Sequence, residues 1–104
     1  MRKERKNLPL SALELNAGQL GWLPRNPRDW TKDDVARTAR SIEEDPDFLE
    51  ERPLLVVPSD VDGKFVVFGG NLRSEGARKN RMKAVPCVVH YPESEEDRRA
   101  VTSA

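Results

Sequence analysis

The segment from Phe68 to Gly76, Phe-Gly-Gly-Asn-Leu-Arg-Ser-Glu-Gly, contains the residues best suited to bind a ligand. It lies where a predicted strand, Phe65–Phe68, passes into a predicted helix that runs to about Asn80. Two glycines at this junction free the backbone and remove side chains that would block an approaching ligand. The first amides of a helix have no intrahelical partner, so they can donate to an anion. The spacing therefore predicts a phosphate site, with a tight strand-to-helix turn as the alternative interpretation.

Arg73 lies one turn into the predicted helix, where its guanidinium could close over the same anion. The alternative is a solvated surface arginine. Helix amides favour an anion by about 0.3–1 kcal/mol per charge, and one arginine hydrogen bond adds about 1.5–3 kcal/mol. Micromolar affinity requires about 8 kcal/mol, so base or sugar contacts, or a second cation, must contribute. The predicted phosphate-binding residues are Gly69, Gly70, Asn71, Leu72, Arg73 and Ser74.

The composition describes one small and very polar domain. The chain has 104 residues, of which 37% are hydrophobic and 35% are charged, and its 18 basic residues equal its 18 acidic ones. A zero net charge disfavours binding of DNA through bulk charge, because that mode needs clustered cations. Cys87 is the single cysteine, which excludes an internal disulfide and is typical of a reducing cytoplasm. No apolar run is long enough to cross a membrane.

The predicted elements follow the order strand, loop, helix, β-hairpin, helix, strand. This order indicates an α+β fold with a small sheet and helices packed mainly on one face. The long loop, residues 16–30, is a candidate binding loop because structureless connections of this size are unusual. The predicted elements are a strand at Leu8–Leu15, a helix capped by Thr31 and ended by Asp45-Pro46, strands at Leu54–Val57 and Phe65–Phe68, a helix at Gly70–Asn80, and a strand at Val85–His90.

The chain is predicted to divide into a flexible arm at residues 1–7, a domain at residues 8–92 and the start of a helix at residues 93–104. Ser94 and Asp97 have the spacing of a helix cap and its reciprocal acidic residue. A helix of about two turns is marginal by itself in water. We therefore expect this helix to lead into a further carboxyl-terminal region.

Four motifs, in order along residues 8–92, resemble the amino-terminal domain of ParB-type proteins and their relatives, the sulfiredoxins. The resemblance implies a ParB/sulfiredoxin-like fold with a mixed sheet. It also implies a nucleotide-binding module of a longer DNA-associated protein, of bacterial, phage or mobile-element origin. The motifs are Leu-Ser-Ala-Leu-Glu-Leu at 10–15, Asn26-Pro27-Arg28, Arg52-Pro53-Leu54-Leu55-Val56, and Gly69 to Gly76 followed by Ala77-Arg78.

The strand-to-helix motif departs from both groups. In ParB proteins it reads roughly Gly-Glu-Arg-Arg-x-x-Ala and holds nucleotide phosphates, and Gly70 and Arg73 match its first and fourth positions. In sulfiredoxins it reads Phe-Gly-Gly-Cys-His-Arg, so Asn71 stands at the position of the catalytic cysteine. Reductive chemistry is excluded because the nucleophile is absent. Despite these departures, the resemblance implies CTP or ATP with Mg²⁺ as the ligand, and it implies Arg28 as a second cationic contact.

Two alternatives remain open beside the nucleotide site. The first is direct contact with DNA through the basic stretch Arg78, Lys79, Arg81 and Lys83, which could instead be a solvated face. The second is a metal-dependent nuclease or phosphotransferase that uses Glu75. Phosphodiester hydrolysis generally needs clustered carboxylates, and no acidic spacing here demands them, so neither a catalytic nor a metal-binding residue is assigned. The expected partners are a nucleotide, DNA through the full-length protein, and a second copy of the chain.

Overall fold

Five strands form one mixed sheet in the computed structural model, which describes residues 1–26 and 29–103. The strand order is β1-β5-β3-β4-β2, with antiparallel pairs β1–β5 and β3–β4 and parallel pairs β3–β5 and β2–β4. The predicted α+β class with a mixed sheet is confirmed. The elements are β1 (Arg2–Pro9), a 3-10 turn (Leu10–Ala12), β2 (Leu13–Leu15), α1 (Lys32–Glu44), α2 (Phe48–Glu51), β3 (Leu54–Pro58), β4 (Phe65–Gly69), α3 (Asn71–Lys79), β5 (Ala84–Tyr91) and α4 (Glu95–Thr102).

The central strands bury side chains on both faces of the sheet. Val56 and Val67 are fully buried in the core beneath α1, α2 and α3. Val57 and Val66 are fully buried on the opposite face, where Leu20, Trp22 and Leu23 of the long loop and Val101 of α4 pack with them. Each such side chain stabilises the fold by about 1.5–3 kcal/mol. The helices therefore pack mainly on one face, as predicted, and α4 alone of the described helices lies on the other.

Helix α1 begins at the predicted cap and holds α3 in place. The Thr31 hydroxyl accepts a hydrogen bond from the Asp34 amide, and the Asp34 carboxylate accepts one from the Thr31 amide. Helix α3 approaches α1 closely at Gly76, where a Cβ would lie only 3.0 Å from Thr38 Cγ2 and 3.2 Å from the Ala39 nitrogen. This packing fixes the direction of α3 and therefore the position of its amino terminus beside the sheet.

The amino-terminal residues correct two predictions. Residues 1–7 are not a flexible arm, because Arg2–Pro9 pairs with β5 along its full length. The sequence did not predict strand β1, because an edge strand with exposed side chains lacks the alternation of apolar and polar residues. The predicted strand at Leu8–Leu15 is interrupted, because the turn at Leu10–Ala12 carries the chain from β1 at one edge of the sheet to β2 at the other.

Helix α4 confirms the predicted helix start. The Ser94 hydroxyl accepts from the Asp97 amide at 3.1 Å, and Val101 is buried against the sheet. Continuation of the chain into a further region stays a prediction. Neither α4 nor any other helix in the described part of the chain has the length and apolar character to cross a membrane.

Candidate functional site

The two glycines between β4 and α3 are required for different reasons. Gly70 is the N-cap of α3 and has a φ of +90°, in the left-handed region that favours glycine. A Cβ on Gly70 would lie 2.7 Å from Arg73 Nη2 and 2.9 Å from Leu54 Cδ2. A Cβ on Gly69 would lie 3.0 Å from Leu55 Cβ. A larger residue at either glycine would therefore clash, at Gly70 with the Arg73 guanidinium and Leu54, and at Gly69 with Leu55.

The first turn of α3 offers unpaired backbone amides. The first intrahelical hydrogen bond runs from the Ser74 amide to the Gly70 carbonyl at 2.9 Å. The amides of Asn71, Leu72 and Arg73 precede it, and no side chain caps the helix. These donors and the positive end of the helix dipole favour an anion at this terminus.

The Arg73 side chain folds back over Gly70. Its Nη2 donates to the Pro53 carbonyl at 3.2 Å, while its buried Nε has no hydrogen-bond partner among the residues that the structure describes. Burial, and then the nearby charge of Arg52, lower the pKa of Arg73 from its ordinary value. Within residues 1–26 and 29–103, Arg73 forms no ion pair with a carboxylate. A half-buried cation without a counter-ion is thus held against the amino terminus of α3.

Arg52 is a second cation near this site, because Arg73 donates to the carbonyl of the next residue, Pro53. Its guanidinium lies over the Phe48 ring at 4.6 Å and 3.6 Å from a Glu51 carboxylate oxygen. The sequence feature that could have indicated this position is that Arg52 lies just ahead of the central strand β3. The register pairs Leu55 of β3 with Gly69 of β4, so the residues preceding β3 come to lie near the glycine junction.

Asn71 and Ser74 are buried and serve the first turn of α3 in different ways. Ser74 is fully buried, its hydroxyl donates to the Asn71 carbonyl at 2.7 Å, and its amide is also bonded, so Ser74 offers no free donor. Asn71 Nδ2 donates to the Val67 carbonyl at 3.2 Å, whereas its buried Oδ1 has no partner in the described residues. Leu72 is half-buried and contributes its amide.

Two asparagines of the long loop attach it to the same end of the sheet. Asn16 is 3% exposed, and its Nδ2 donates to the Pro24 carbonyl at 2.7 Å and to Asn26 Oδ1 at 3.2 Å. Asn26 Nδ2 in turn donates to the Phe68 carbonyl at 3.2 Å, directly before the glycine pair. Sequence reasoning did not assign this network, because its partners are far apart along the chain. Arg28 lies outside the described residues, so its predicted role stays a prediction.

The basic stretch predicted to contact DNA lies at the other end of α3. Arg78 Nη2 donates to the carbonyls of Leu10 and Leu13, at 3.3 and 2.9 Å, so its guanidinium also ties α3 to the turn before β2. Lys79, Arg81 and Lys83 are exposed. The structure therefore separates Arg73 from these four cations, and their contact with DNA stays a prediction.

The remaining titratable candidates do not assemble around the glycine junction. Glu75 Oε1 lies 4.0 Å from Arg78 Nε. Cys87 is fully buried, and burial raises its pKa to about 11, which keeps the thiol protonated at neutral pH. His90 is buried with its ring edge-to-face against Phe68, and burial lowers its pKa. In the part of the chain that the structure describes, no three His, Cys, Asp or Glu residues are grouped to hold a metal.

Comparison with solved structures identifies the fold. A carboxyl-terminally truncated chromosome-partitioning protein ParB from Caulobacter crescentus, complexed with CTP-γ-S, matches 94% of this chain at 24% identity and a TM-score of 0.71. The same protein complexed to the centromeric parS site matches 93% at 21% identity and 0.62. Sulfiredoxin from Arabidopsis thaliana matches 94% at 20% identity and 0.58.

The two kinds of match differ in how much of the other protein they include. The chain corresponds to 50% and 44% of the two truncated ParB chains, so it spans about half of their length, whereas it covers 96% of the sulfiredoxin. No protein-family model and no curated protein matches the sequence. The sheet order, the glycine junction and these structural matches together show that the chain is a domain with the ParB/sulfiredoxin-like fold.

Proposed function

We propose that this domain binds a nucleotide through its phosphates at the amino terminus of α3. One observation carries the proposal: free amides and a half-buried arginine without a counter-ion converge at Gly70. The phosphates would accept hydrogen bonds from the amides of Asn71 and Leu72 and from the guanidinium of Arg73. Ser74 is not among the proposed contacts, because both of its donors are already used.

The pair of arginines supports a ligand with several negative charges. Burial, and then the charge of Arg52, lower the pKa of Arg73, and a polyphosphate would offset both effects by pairing with the guanidinium. The helix amides supply about 0.3–1 kcal/mol per charge, and each charge-assisted arginine bond supplies about 1.5–3 kcal/mol. Two arginine bonds and two phosphate charges at the helix therefore supply about 4–8 kcal/mol, so base or sugar contacts are needed to reach the roughly 8 kcal/mol of a micromolar complex. CTP is the first candidate, because a ParB neighbour of the same fold is complexed with CTP-γ-S.

The domain is further proposed to be the nucleotide-binding part of a longer, cytoplasmic protein that engages DNA, as a partition or regulatory protein. This extension is supported by the neighbour complexed to parS and by the partial coverage of both ParB chains. The exposed residues Lys79, Arg81 and Lys83 are the proposed DNA contacts within this domain. Dimerisation and a bacterial or phage origin belong to the same proposal.

Calorimetric titration with CTP, ATP, GTP and ADP, with and without Mg²⁺, tests the nucleotide site directly. Arg73→Ala is expected to weaken binding by about tenfold to a hundredfold, which corresponds to the loss of one charge-assisted contact. Arg73→Lys retains the charge without the fork and is expected to recover part of the affinity. Arg40→Ala is the matched control, because Arg40 is exposed on α1.

Three results would contradict the proposal. They are the absence of binding for every nucleotide, an equal loss of affinity in the Arg40 control, and unchanged affinity in Arg73→Ala. Thermal unfolding of each variant separates a lost contact from a lost fold. Metal-dependent turnover that disappears in Glu75→Gln would instead support the nuclease or phosphotransferase alternative.

A further inference from the structure

A groove lies at the carboxyl-terminal ends of α1 and α3, away from the glycine junction. It consists of two adjoining cavities of about 340 and 500 Å³ that share Ile42 and Met82. Because Met82 follows α3 and Gly70 precedes it, the groove and the proposed nucleotide site lie at opposite ends of that helix. We name it the α1–β5 groove, and its apolar lining residues are Ile42, Pro46, Leu49, Met82, Ala84 and Pro86.

Every charged residue that lines the α1–β5 groove in the described structure is acidic, namely Glu43, Asp45 and Glu50. The nine residues 43–51 contain six carboxylates and no basic residue. This clustering is local, because the chain as a whole carries no net charge. The carboxylates that line the rim of the groove would complement a cationic group, and the exposed cations Arg81 and Lys83 flank Met82 without lining the groove.

The end of α1 strengthens the negative potential of the rim. A helix carboxyl terminus carries a partial negative charge and is stabilised by basic residues, but the last turn of α1 contains none. Glu43, Glu44 and Asp45 lie at this terminus and form no ion pair within residues 1–26 and 29–103. These three carboxylates are thus available to a cation from another molecule.

Arg5 shows how a guanidinium fits the rim. Its Nη2 lies 2.8 Å from Glu50 Oε2 and 2.6 Å from the Glu50 carbonyl oxygen. One arginine of β1 therefore uses a carboxylate and a backbone carbonyl of α2 at the same time. A lysine or arginine from a partner could use the carboxylates and carbonyls at the end of α1 in the same way.

We propose that the α1–β5 groove binds a basic segment of a partner protein that carries large apolar side chains between its lysines and arginines. A neutral apolar segment would leave the rim carboxylates without counter-ions. A purely cationic segment would not use the apolar floor formed by Ile42, Leu49 and Met82. Nucleic acid is disfavoured inside the groove, because the carboxylates that line it repel phosphate, although the exposed cations Lys79, Arg81 and Lys83 lie beside it. The inference is independent of the nucleotide site.

The test uses the full chain and a labelled peptide of about twelve residues in which leucines alternate with lysines and arginines. Fluorescence anisotropy measures the affinity of this peptide and that of a control peptide whose leucines are replaced by serines. The double variant Glu43→Gln, Asp45→Asn is expected to weaken binding about tenfold. The control double variant Asp60→Asn, Asp62→Asn changes the net charge equally in the β3–β4 turn and is expected to change affinity less than about twofold.

A blocking variant provides a second measurement. Ala84 is exposed and lines the groove, so Ala84→Trp should fill it while leaving the core intact. This variant is expected to weaken binding of the leucine-containing peptide by about tenfold or more. Equal binding of the serine peptide, an equal loss in the control variant, failure of the wild-type chain to bind, or no effect of Ala84→Trp would each overturn the proposal.

Discussion

Helix α3 lies between two sites whose linings have opposite chemical character. At the amino terminus, Gly70 exposes backbone amides, and Arg73 and Arg52 place two cations together. Beyond the carboxyl terminus, Met82 belongs to a groove whose charged rim is acidic. One nine-residue helix thus lies between a site suited to anions and a groove lined by carboxylates, and the exposed cations Lys79, Arg81 and Lys83 lie beside that groove.

This contrast shows that net charge is a poor guide to what a small domain binds. A balance of 18 basic and 18 acidic residues suggests a surface without electrostatic preference. The structure instead sorts charges by place, because Arg52 and Arg73 are brought together from positions 21 residues apart, and residues 43–51 collect at the end of α1. The following predictions test whether the two ends act separately.

The largest expected effect is that of Gly70→Ala, which should destroy the amino-terminal site. The left-handed backbone and the contact of 2.7 Å with Arg73 Nη2 are expected to reduce the free energy of unfolding by about 2–3 kcal/mol, measured by urea denaturation. Gly63→Ala is the matched control, because Gly63 has a φ of +76° but open space around it. Its expected cost is only about 1 kcal/mol. Equal costs would show that the close approach at Gly70 does not matter.

The next-largest effects are expected for two asparagine substitutions, one near each end of α3. Asn16→Ala removes the buried amide that holds the long loop, and it should cost about 2 kcal/mol and weaken nucleotide binding. Asn80→Ala removes a single bond of 2.8 Å to the Ala39 carbonyl at the other end, and it should cost about 1 kcal/mol without affecting nucleotide binding. Calorimetric titration measures the nucleotide affinity of both variants. A loss of affinity in Asn80→Ala would show that the two ends of α3 do not act separately.

Arg52→Ala tests whether the second cation belongs to the amino-terminal site. Its charge lies near Arg73 but its side chain is exposed, so we expect a loss of nucleotide affinity of about fivefold, smaller than that of Arg73→Ala. Arg52→Lys should retain most of the affinity, because the charge is kept. The same titration measures both variants, and unchanged affinity in Arg52→Ala would remove Arg52 from the site.

The smallest expected effect concerns the dipole of α1. Glu44→Lys places a cation at the helix carboxyl terminus and should raise the free energy of unfolding by about 0.5 kcal/mol at low salt. Asp33→Lys places a cation at the opposite end, in the first turn, and should lower it by a similar amount. Urea denaturation at two salt concentrations distinguishes the outcomes. A gain that persists unchanged at high salt would argue against an electrostatic origin.

The sequence by itself determined the features that depend on neighbouring residues. Thr31 and Asp34 predicted the start of α1, and the Gly69-Gly70 pair predicted the junction between β4 and α3, because capping and left-handed backbone depend on a few adjacent residues. Continuous apolar runs predicted the central strands β3 and β4 for the same local reason.

Only the tertiary structure decided the features that depend on residues far apart in sequence. Strand β1 exists because its backbone pairs with β5, more than 70 residues later, and its charged side chains gave no sign of this. Arg73 reaches the Pro53 carbonyl, Asn26 reaches the Phe68 carbonyl, and Met82 and Ile42 come to line one groove through strand pairing and helix packing. Local residue preferences determined which segments became strands and helices. Long-range hydrogen bonds and burial determined which of their side chains came to share a site.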